Sequence, residues 1–304
     1  GGMSQVRFDG RAVIVTGAGR GLGRSHALLL ASRGARVVVN DVGGATDGDG
    51  ADASPADDVV NAIRAAGGEA VASYDSVATP EGGAAIVQTA LDAFGQVDAV
   101  VHNAGILRDR SFPKVTPEDL DAVLAVHLKG AFHVTRPAFE VMKARGYGRI
   151  VLTASASGLF GNFGQSAYGA AKMGLVGLSN VLAVEGERHG IWSNVVAPIA
   201  RTRMTAPVFG AMMDPFDPAH VSPVVAWLCS EACDVTHEVF SVGAGRVARV
   251  FVGLTPGWFA GGEPPSVEDV VAHADDIRRT AGFIVPTSVQ DEFEQLKPLL
   301  VEDA

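Results

Sequence analysis

Cysteine is almost missing from this chain: there are two in 304 residues, Cys229 and Cys233. They lie four apart in the apolar stretch PVVAWLCSEACDV, where no histidine or further cysteine completes a metal-ligand pattern. They read as buried free thiols, and no metal site is expected. The chain also lacks an uninterrupted apolar run of the ~18 residues that a membrane span needs. It opens on no basic segment followed by an apolar one. Positive charge is in deficit: 24 Lys and Arg stand against 34 Asp and Glu, a formal net charge of −10. That balance disfavours nucleic acid or an anionic membrane as partner. Hydrophobic residues make up 47% and charged residues 19%, enough for a sizeable core and against disorder. The expectation is a cytoplasmic globular protein that works on a small molecule.

Short runs rich in β-branched residues alternate with longer helical patterns. RAVIVTG (11–17), RVVVND (36–41), AVASYD (70–75), VDAVVHNAG (97–105), GRIVLTAS (148–155), WSNVVAP (192–198) and EVFSVG (238–243) read as strands. Helices are predicted near 22–33, 55–66, 80–94, 117–144, 166–188 and 218–230. Apolar runs separated by helices point to a parallel sheet covered on both faces. The fold class is therefore α/β, a doubly wound, seven-stranded Rossmann-type sheet over residues 1–245. Residues 246–304 depart from the pattern: RVARVFVGL is a candidate edge strand, and Ser266 and Thr287 each open a candidate helix. This stretch is short for an independent core, so it is expected to pack on the main domain as a C-terminal extension.

The stretch VTGAGRGLG (15–23) follows the first strand and opens the first helix. Gly17, Gly21 and Gly23, with Arg20 and Leu22 between them, form a turn where backbone amides can approach a pyrophosphate at the helix N-terminus. The second strand ends at Asp41, an acid placed to bond both ribose hydroxyls of an adenosine and to repel a 2′-phosphate. No Arg or Lys adjoins it, and Asp47, Asp49 and Asp52 follow. The cofactor expected is NAD rather than NADP. The acidic loop fails as a calcium site, with Ala51 and Asp52 where a ligand and the turn glycine belong, and reads as a flexible loop near the adenosine. Asp75 and Ser76 after the third strand, and Asn103, Ala104 and Gly105 after the fourth, complete the candidate crevice.

A second constellation lies in SASGLFGNFGQSAYGAAK (155–172). Tyr168 and Lys172 are i and i+4, so on a helix they share a face, and a phenol beside an ammonium is a candidate acid catalyst. Ser155 precedes a glycine-rich loop that can bring its hydroxyl to the same place. Taken in order, TGxxxGxG at 16–23, NAG at 103–105, the serine at 155 and YxxxK at 168–172 resemble the short-chain dehydrogenase/reductase family over roughly 10–245. Closer phrases, among them VVVNDVGG, NAGILRDRSF and WLCSEAC, look like the (3R)-hydroxyacyl-CoA dehydrogenase modules of peroxisomal multifunctional enzymes type 2 and their stand-alone bacterial relatives. The resemblance implies that Tyr168 is the acid/base, that Lys172 and the positive ring of the oxidised cofactor lower the Tyr168 pKa, that Lys172 bonds the nicotinamide ribose, and that Ser155 holds the substrate oxygen. It also implies that Pro198, Ile199 and Thr202 flank the nicotinamide.

Two features depart from the family pattern. His127 stands in the long helix where the family has asparagine; there the main-chain carbonyl holds a water beside the lysine, and the side chain keeps the helix kinked. An imidazole can take over that structural part, or serve as a second acid/base because it titrates near neutrality; the structural part is the reading preferred, and Gly130 gives the helix room to distort. After the sixth strand the chain reads APIART, without the usual glycine. The stretch 203–218, rich in Met, Phe and Pro, is expected to form an apolar lid over an acyl-CoA or a steroid. Helices 117–144 and 166–188 are apolar on more than one face, so a homodimer or homotetramer is expected. The activity implied is NAD-dependent interconversion of a secondary alcohol and a ketone, on a 3-hydroxyacyl-CoA or else a hydroxysteroid. A non-catalytic NAD-binding sensor is the reading from another class, and the intact Ser155, Tyr168 and Lys172 speak against it.

Overall fold

The computed structural model describes residues 4–199 and 214–301. The inner strands are mostly apolar because helices cover both faces of the sheet. The sheet has eight strands in the order β3-β2-β1-β4-β5-β6-β7-β8. These are β1 (Ala12–Thr16), β2 (Arg36–Asn40), β3 (Glu69–Ser73), β4 (Ala99–His102), β5 (Gly148–Thr153), β6 (Ile191–Pro198), β7 (Val239–Gly243) and β8 (Arg246–Val250). Strands β1 to β7 pair in parallel. The eighth is the edge strand expected in the tail, joined to β7 by a two-residue turn that only an antiparallel pair allows.

The helices of the main unit are α1 (Gly21–Ser32), α2 (Ser54–Ala65), α3 (Pro80–Phe94), α4 (Pro117–Leu124), α5 (Gly130–Arg145), α6 (Ala156–Phe160), α7 (Ser166–Gly186) and α8 (Ser222–Cys229). Helices α1, α2 and α8 pack together on one face, and α3, α5 and α7 cover the other. Both cysteines are buried and free. The span 117–144, expected as one helix, is two: α4 and α5 are joined by a π-turn at Ala125–Lys129, ending at Gly130. A side chain at Gly130 would come within 2.8 Å of Val77, so this glycine lets the distorted helix sit against the β3–α3 connection.

Strand order reverses between β1 and β4, and the carboxyl ends of those strands diverge there. Three otherwise apolar strands end on a buried polar residue: Thr16, Asn40 and His102. Buried polar groups must find partners, and here they join strand ends. The Thr16 hydroxyl accepts the backbone N–H groups of Asn103 at 3.0 Å and Ala104 at 3.1 Å. Asn103 Nδ2 donates back to the Gly17 carbonyl at 3.2 Å. Asn40 Nδ2 donates to the carbonyls of Ser73 and Asp75.

Helix α7 with its 3₁₀ continuation, Ser166–His189, has the length and composition of a membrane-crossing helix. This qualifies the expectation drawn from uninterrupted runs. It packs against β5 and β6 inside the main unit and buries Lys172, which a core helix does.

The chain divides into two compact units, Gly1–Arg249 and Val250–Ala304. The division follows β8, a few residues beyond the boundary drawn from sequence. The second unit contains α9 (Val267–Ala272), α10 (Ala274–Arg278) and α11 (Val289–Val301). Ser266 caps α9 in a capping box with Asp269. Thr287 stands two residues before α11, and both its N–H and its hydroxyl donate to Asp291. Phe251 stacks on Phe283 and Trp258 on His273.

Candidate active site

At the β1/β4 reversal lies a crevice of about 430 Å³. Its walls include Gly17 and Arg20 from the first turn, Asp41 after β2, Asp75 and Ser76 after β3, and Asn103, Ala104 and Gly105 after β4. The turn needs its glycines: Gly17 and Gly21 have φ of +62° and +54°, and a Cβ on Gly23 would lie 2.1 Å from the Gly17 carbonyl oxygen. The N-cap residue Arg20 makes no side-chain hydrogen bond to the start of α1. This cradle of close-packed glycines at a helix N-terminus fits a dinucleotide pyrophosphate. Asp41 accepts the N–H groups of Gly19 at 2.9 Å and Gly43 at 2.6 Å. Those bonds aim the carboxylate at the crevice and leave each oxygen a second lone pair.

Leu22, Pro198 and Ile199 do not join that group. They line a separate pocket of about 300 Å³ with Pro215, Phe216 and Gly243. Thr202, and residues 203–213 of the apolar lid expected over 203–218, lie outside the described residues.

The structure brings Ser155, Tyr168 and Lys172 together. Ser155 caps the short helix α6, its Oγ accepting the Ser157 N–H at 3.2 Å; sequence alone left this stretch as loop. Its hydroxyl lies on the Tyr168 side, where it favours the ionised phenol. Lys172 is buried, donates from Nζ to the Thr153 carbonyl at 2.7 Å, and stands 5.5 Å from the centre of the Tyr168 ring. The Gly158 backbone permits this approach, since a Cβ there would meet Lys172 Cβ at 2.8 Å.

A family model described as short chain dehydrogenase matches residues 11–211. The chain belongs to the short-chain dehydrogenase family. It is 53% identical over 273 residues to a short-chain type dehydrogenase/reductase of Mycobacterium tuberculosis, covering 90% of this chain and 95% of that protein. It is 41% identical over 262 residues to a hydroxyacyl-CoA dehydrogenase of the same organism, covering 80% of each. The solved full-length peroxisomal multifunctional enzyme type 2 of Drosophila melanogaster superposes with a TM-score of 0.82 at 37% identity, over 98% of this chain and 50% of that one. The mouse enzyme of that name is 53% identical over 81% of this chain, which spans 33% of its length. An oxidoreductase with a nicotinamide cofactor and a small-molecule substrate follows from the family.

The expectation at Tyr168 joins Lys172 with the positive ring of the oxidised cofactor. In the protein alone, burial raises the Tyr168 pKa, with the Ser155 hydroxyl opposing and Asp109 adding to the rise. Burial also pushes Lys172 down to about 7. Desolvation leads both shifts, because burial disfavours the charged form of either group.

His127 takes the structural part. Its Nε2 stands 2.8 Å from the Ile106 carbonyl oxygen and 3.1 Å from the Ile106 nitrogen, and its ring meets Tyr168 edge-on with centroids 5.2 Å apart. Burial holds its pKa well below the ordinary histidine value, so it is neutral near pH ~7. Gly105 makes room for it, since a Cβ there would lie 2.4 Å from His127 Cε1. The His127 carbonyl, expected to face a water beside Lys172, has a protein partner, His102. Thr16 already accepts two N–H groups, so its own proton goes to His102 Nδ1 at 3.1 Å, which leaves Nε2–H to donate to the His127 carbonyl at 3.0 Å. Burial lowers His102 to about 4, and the neutral tautomer this chain requires persists.

Sequence reasoning missed Thr16 and His102. Their signal was there: a polar residue closing an otherwise apolar strand.

Lys172 makes stability depend on pH. Protonated Lys172 opposes folding below about pH 7, and the penalty fades from about pH 7 to 10.5, where the folded site is neutral while the unfolded chain still binds the proton. Lys172→Met is therefore expected to raise the urea midpoint of the ligand-free protein more at about pH 6 than at about pH 9. A gain independent of pH would contradict the assignment.

Proposed function

We propose that this dehydrogenase interconverts a 3-hydroxyacyl-CoA and its 3-oxo counterpart with NAD as cofactor. The observation that carries the reading is the Ser155, Tyr168 and Lys172 cluster on α6 and α7, beside a crevice whose ribose end presents Asp41. The bound nicotinamide would supply hydride donation or acceptance at the substrate carbon. The chain's own residues manage the proton. Ser155 Oγ already accepts the Ser157 N–H, so its hydroxyl is left to donate to the substrate oxygen and to stabilise charge there. Tyr168 Oη gives that oxygen a proton in reduction and takes one in oxidation. Lys172, near its titration point at about 7, can hold or release a proton beneath the phenol.

Support for NAD comes from charge. Asp41 disfavours a 2′-phosphate. Two arginines also line the crevice, but Arg20 donates to the Gly44 carbonyl at 3.3 Å and Arg108 to the Asp47 carbonyl at 2.8 Å. Both are committed to a loop rather than to a phosphate. Support for the acyl-CoA comes from the 41% identical hydroxyacyl-CoA dehydrogenase. Steady-state assays with 3-hydroxybutyryl-CoA and a hydroxysteroid, each with NAD and NADP, test the reading. The expected result is a kcat/KM for the acyl-CoA with NAD at least ~10-fold above every other pair, a difference of ~1.4 kcal/mol. Preference for the steroid or for NADP would overturn the corresponding half. NADH binding with no turnover of any alcohol would favour a sensor.

We also infer self-association through α5 and α7. Phe132 on α5 and Val181 and Val184 on α7 are 50%, 53% and 50% exposed, an apolar face that the main unit itself leaves open to water. Light scattering at micromolar concentration is expected to return a dimer or tetramer mass. The 31.3 kDa of one chain would contradict it.

A further inference from the structure

The acidic loop after β2 is not a loose appendage. It closes on itself through Asp52 N–H donating to the Val42 carbonyl at 2.8 Å, and Ala45 N–H donating to the Asp49 carbonyl at 2.8 Å. Gly43, at φ +71°, makes that closure possible, because a Cβ there would lie 1.8 Å from the Asp52 carbonyl oxygen. The loop then reaches across the crevice. Leu107 N–H, beyond β4, donates to the Thr46 carbonyl at 2.9 Å. Gly48 sits against Ile106, with room for no more than a hydrogen: a Cβ would meet two Ile106 carbons at 3.2 Å. Residues 44–48 and 104–108 belong to opposite walls of the same crevice, so these contacts join the walls over it.

One side chain holds three pieces of this arrangement together. Arg108 Nε donates to the Asp47 carbonyl at 2.8 Å. Its two terminal nitrogens stand 3.8 Å from Asp49 Oδ1 and 3.9 Å from Asp119 Oδ1. Asp119 is in the first turn of α4, is itself capped by Thr116, and bonds Arg110 at 2.6 Å. The guanidinium thus ties the loop to a rigid helix, and only 26% of its side chain is exposed.

We propose that residues 42–52 form a strap over the adenosine half of the crevice, and that Arg108 is its clasp and limits the rate at which the dinucleotide leaves. The proposal rests on the reading that this crevice takes NAD. A partly shielded guanidinium bond is worth about tenfold in an equilibrium constant. The clasp is made by protein contacts alone, so loosening it raises the open fraction for entry and for exit alike, and release reads that change directly.

The test is stopped-flow release of NADH, followed by its fluorescence, and of ADP-ribose by competition, from wild type, Arg108→Ala, Arg108→Lys and Asp49→Asn. Asp49 is 80% exposed on its side chain, so its variant tests the strap without risk to the fold. Arg108→Ala is expected to speed release of both ligands about tenfold, with Asp49→Asn smaller and Arg108→Lys between Ala and wild type. ADP-ribose carries the adenosine but no nicotinamide, so an equal factor for both ligands locates the effect at the strap. Limited proteolysis of the ligand-free protein is expected to cut within 42–52 faster in Arg108→Ala. Tight NADH binding with release unchanged in Arg108→Ala and Asp49→Asn overturns the strap alone. Failure of wild type to bind NADH overturns the cofactor reading and the strap with it.

Discussion

The reversal of strand order between β1 and β4 is the constraint from which the site follows. Helices approach the sheet from opposite faces on either side of that point, so nothing in the fold covers the two carboxyl ends. Those ends would spread further if the Thr16 hydroxyl did not accept from Asn103 and Ala104, and if Asn103 did not return a bond to Gly17. The knot fixes one wall relative to the other. The glycine turn, Asp41 and the Asn103-Ala104-Gly105 stretch then need only follow their strands to face one another.

Polar groups beneath the site form a chain that spares the reacting ones, with His127 Nδ1 left unpaired at its end. Thr16 orients His102, His102 binds the carbonyl at the π-turn, and the His127 ring is braced on Ile106 and set edge-on to Tyr168. Both imidazoles are held neutral by burial. Two charged histidines beside Lys172 would repel its ammonium, so their neutrality is what lets the lysine keep a proton at all in so dry a place. The π-turn belongs to the same arrangement, since distortions of this kind free helix carbonyls for outside partners.

The layered α/β order was legible because strand and helix periods differ and most strands here are rich in Val, Ile and Ala. The triad was legible because its spacing is helical and local. The crevice residues named from sequence mostly meet there, since strand ends in a parallel sheet share one edge. Other features were hidden because they depend on contacts distant in sequence. The π-turn gives no local signal beyond Gly130, and α6 is a single short helix made by the Ser155 cap. Pro198 and Ile199 line their own pocket because β6 stands two strands away from the reversal, and Leu22 reaches it from the first turn of α1. The pKa directions at Tyr168 and Lys172 could not be read from i,i+4 spacing, which says that two groups are close and nothing about how much water they lose. The acidic loop looked flexible in sequence because its tether, Arg108, is more than fifty residues away.

The central claim is a division of labour: the crevice binds the dinucleotide and the Tyr168 hydroxyl moves the proton. Tyr168→Phe separates the two, since the ring still packs on His127 while the hydroxyl is gone. NADH affinity by fluorescence and turnover of the preferred alcohol should be measured on the same preparation. The account predicts affinity within about twofold of wild type and kcat below a tenth, a barrier raised by more than ~1.4 kcal/mol. A variant that binds NADH and keeps more than a tenth of kcat would contradict it.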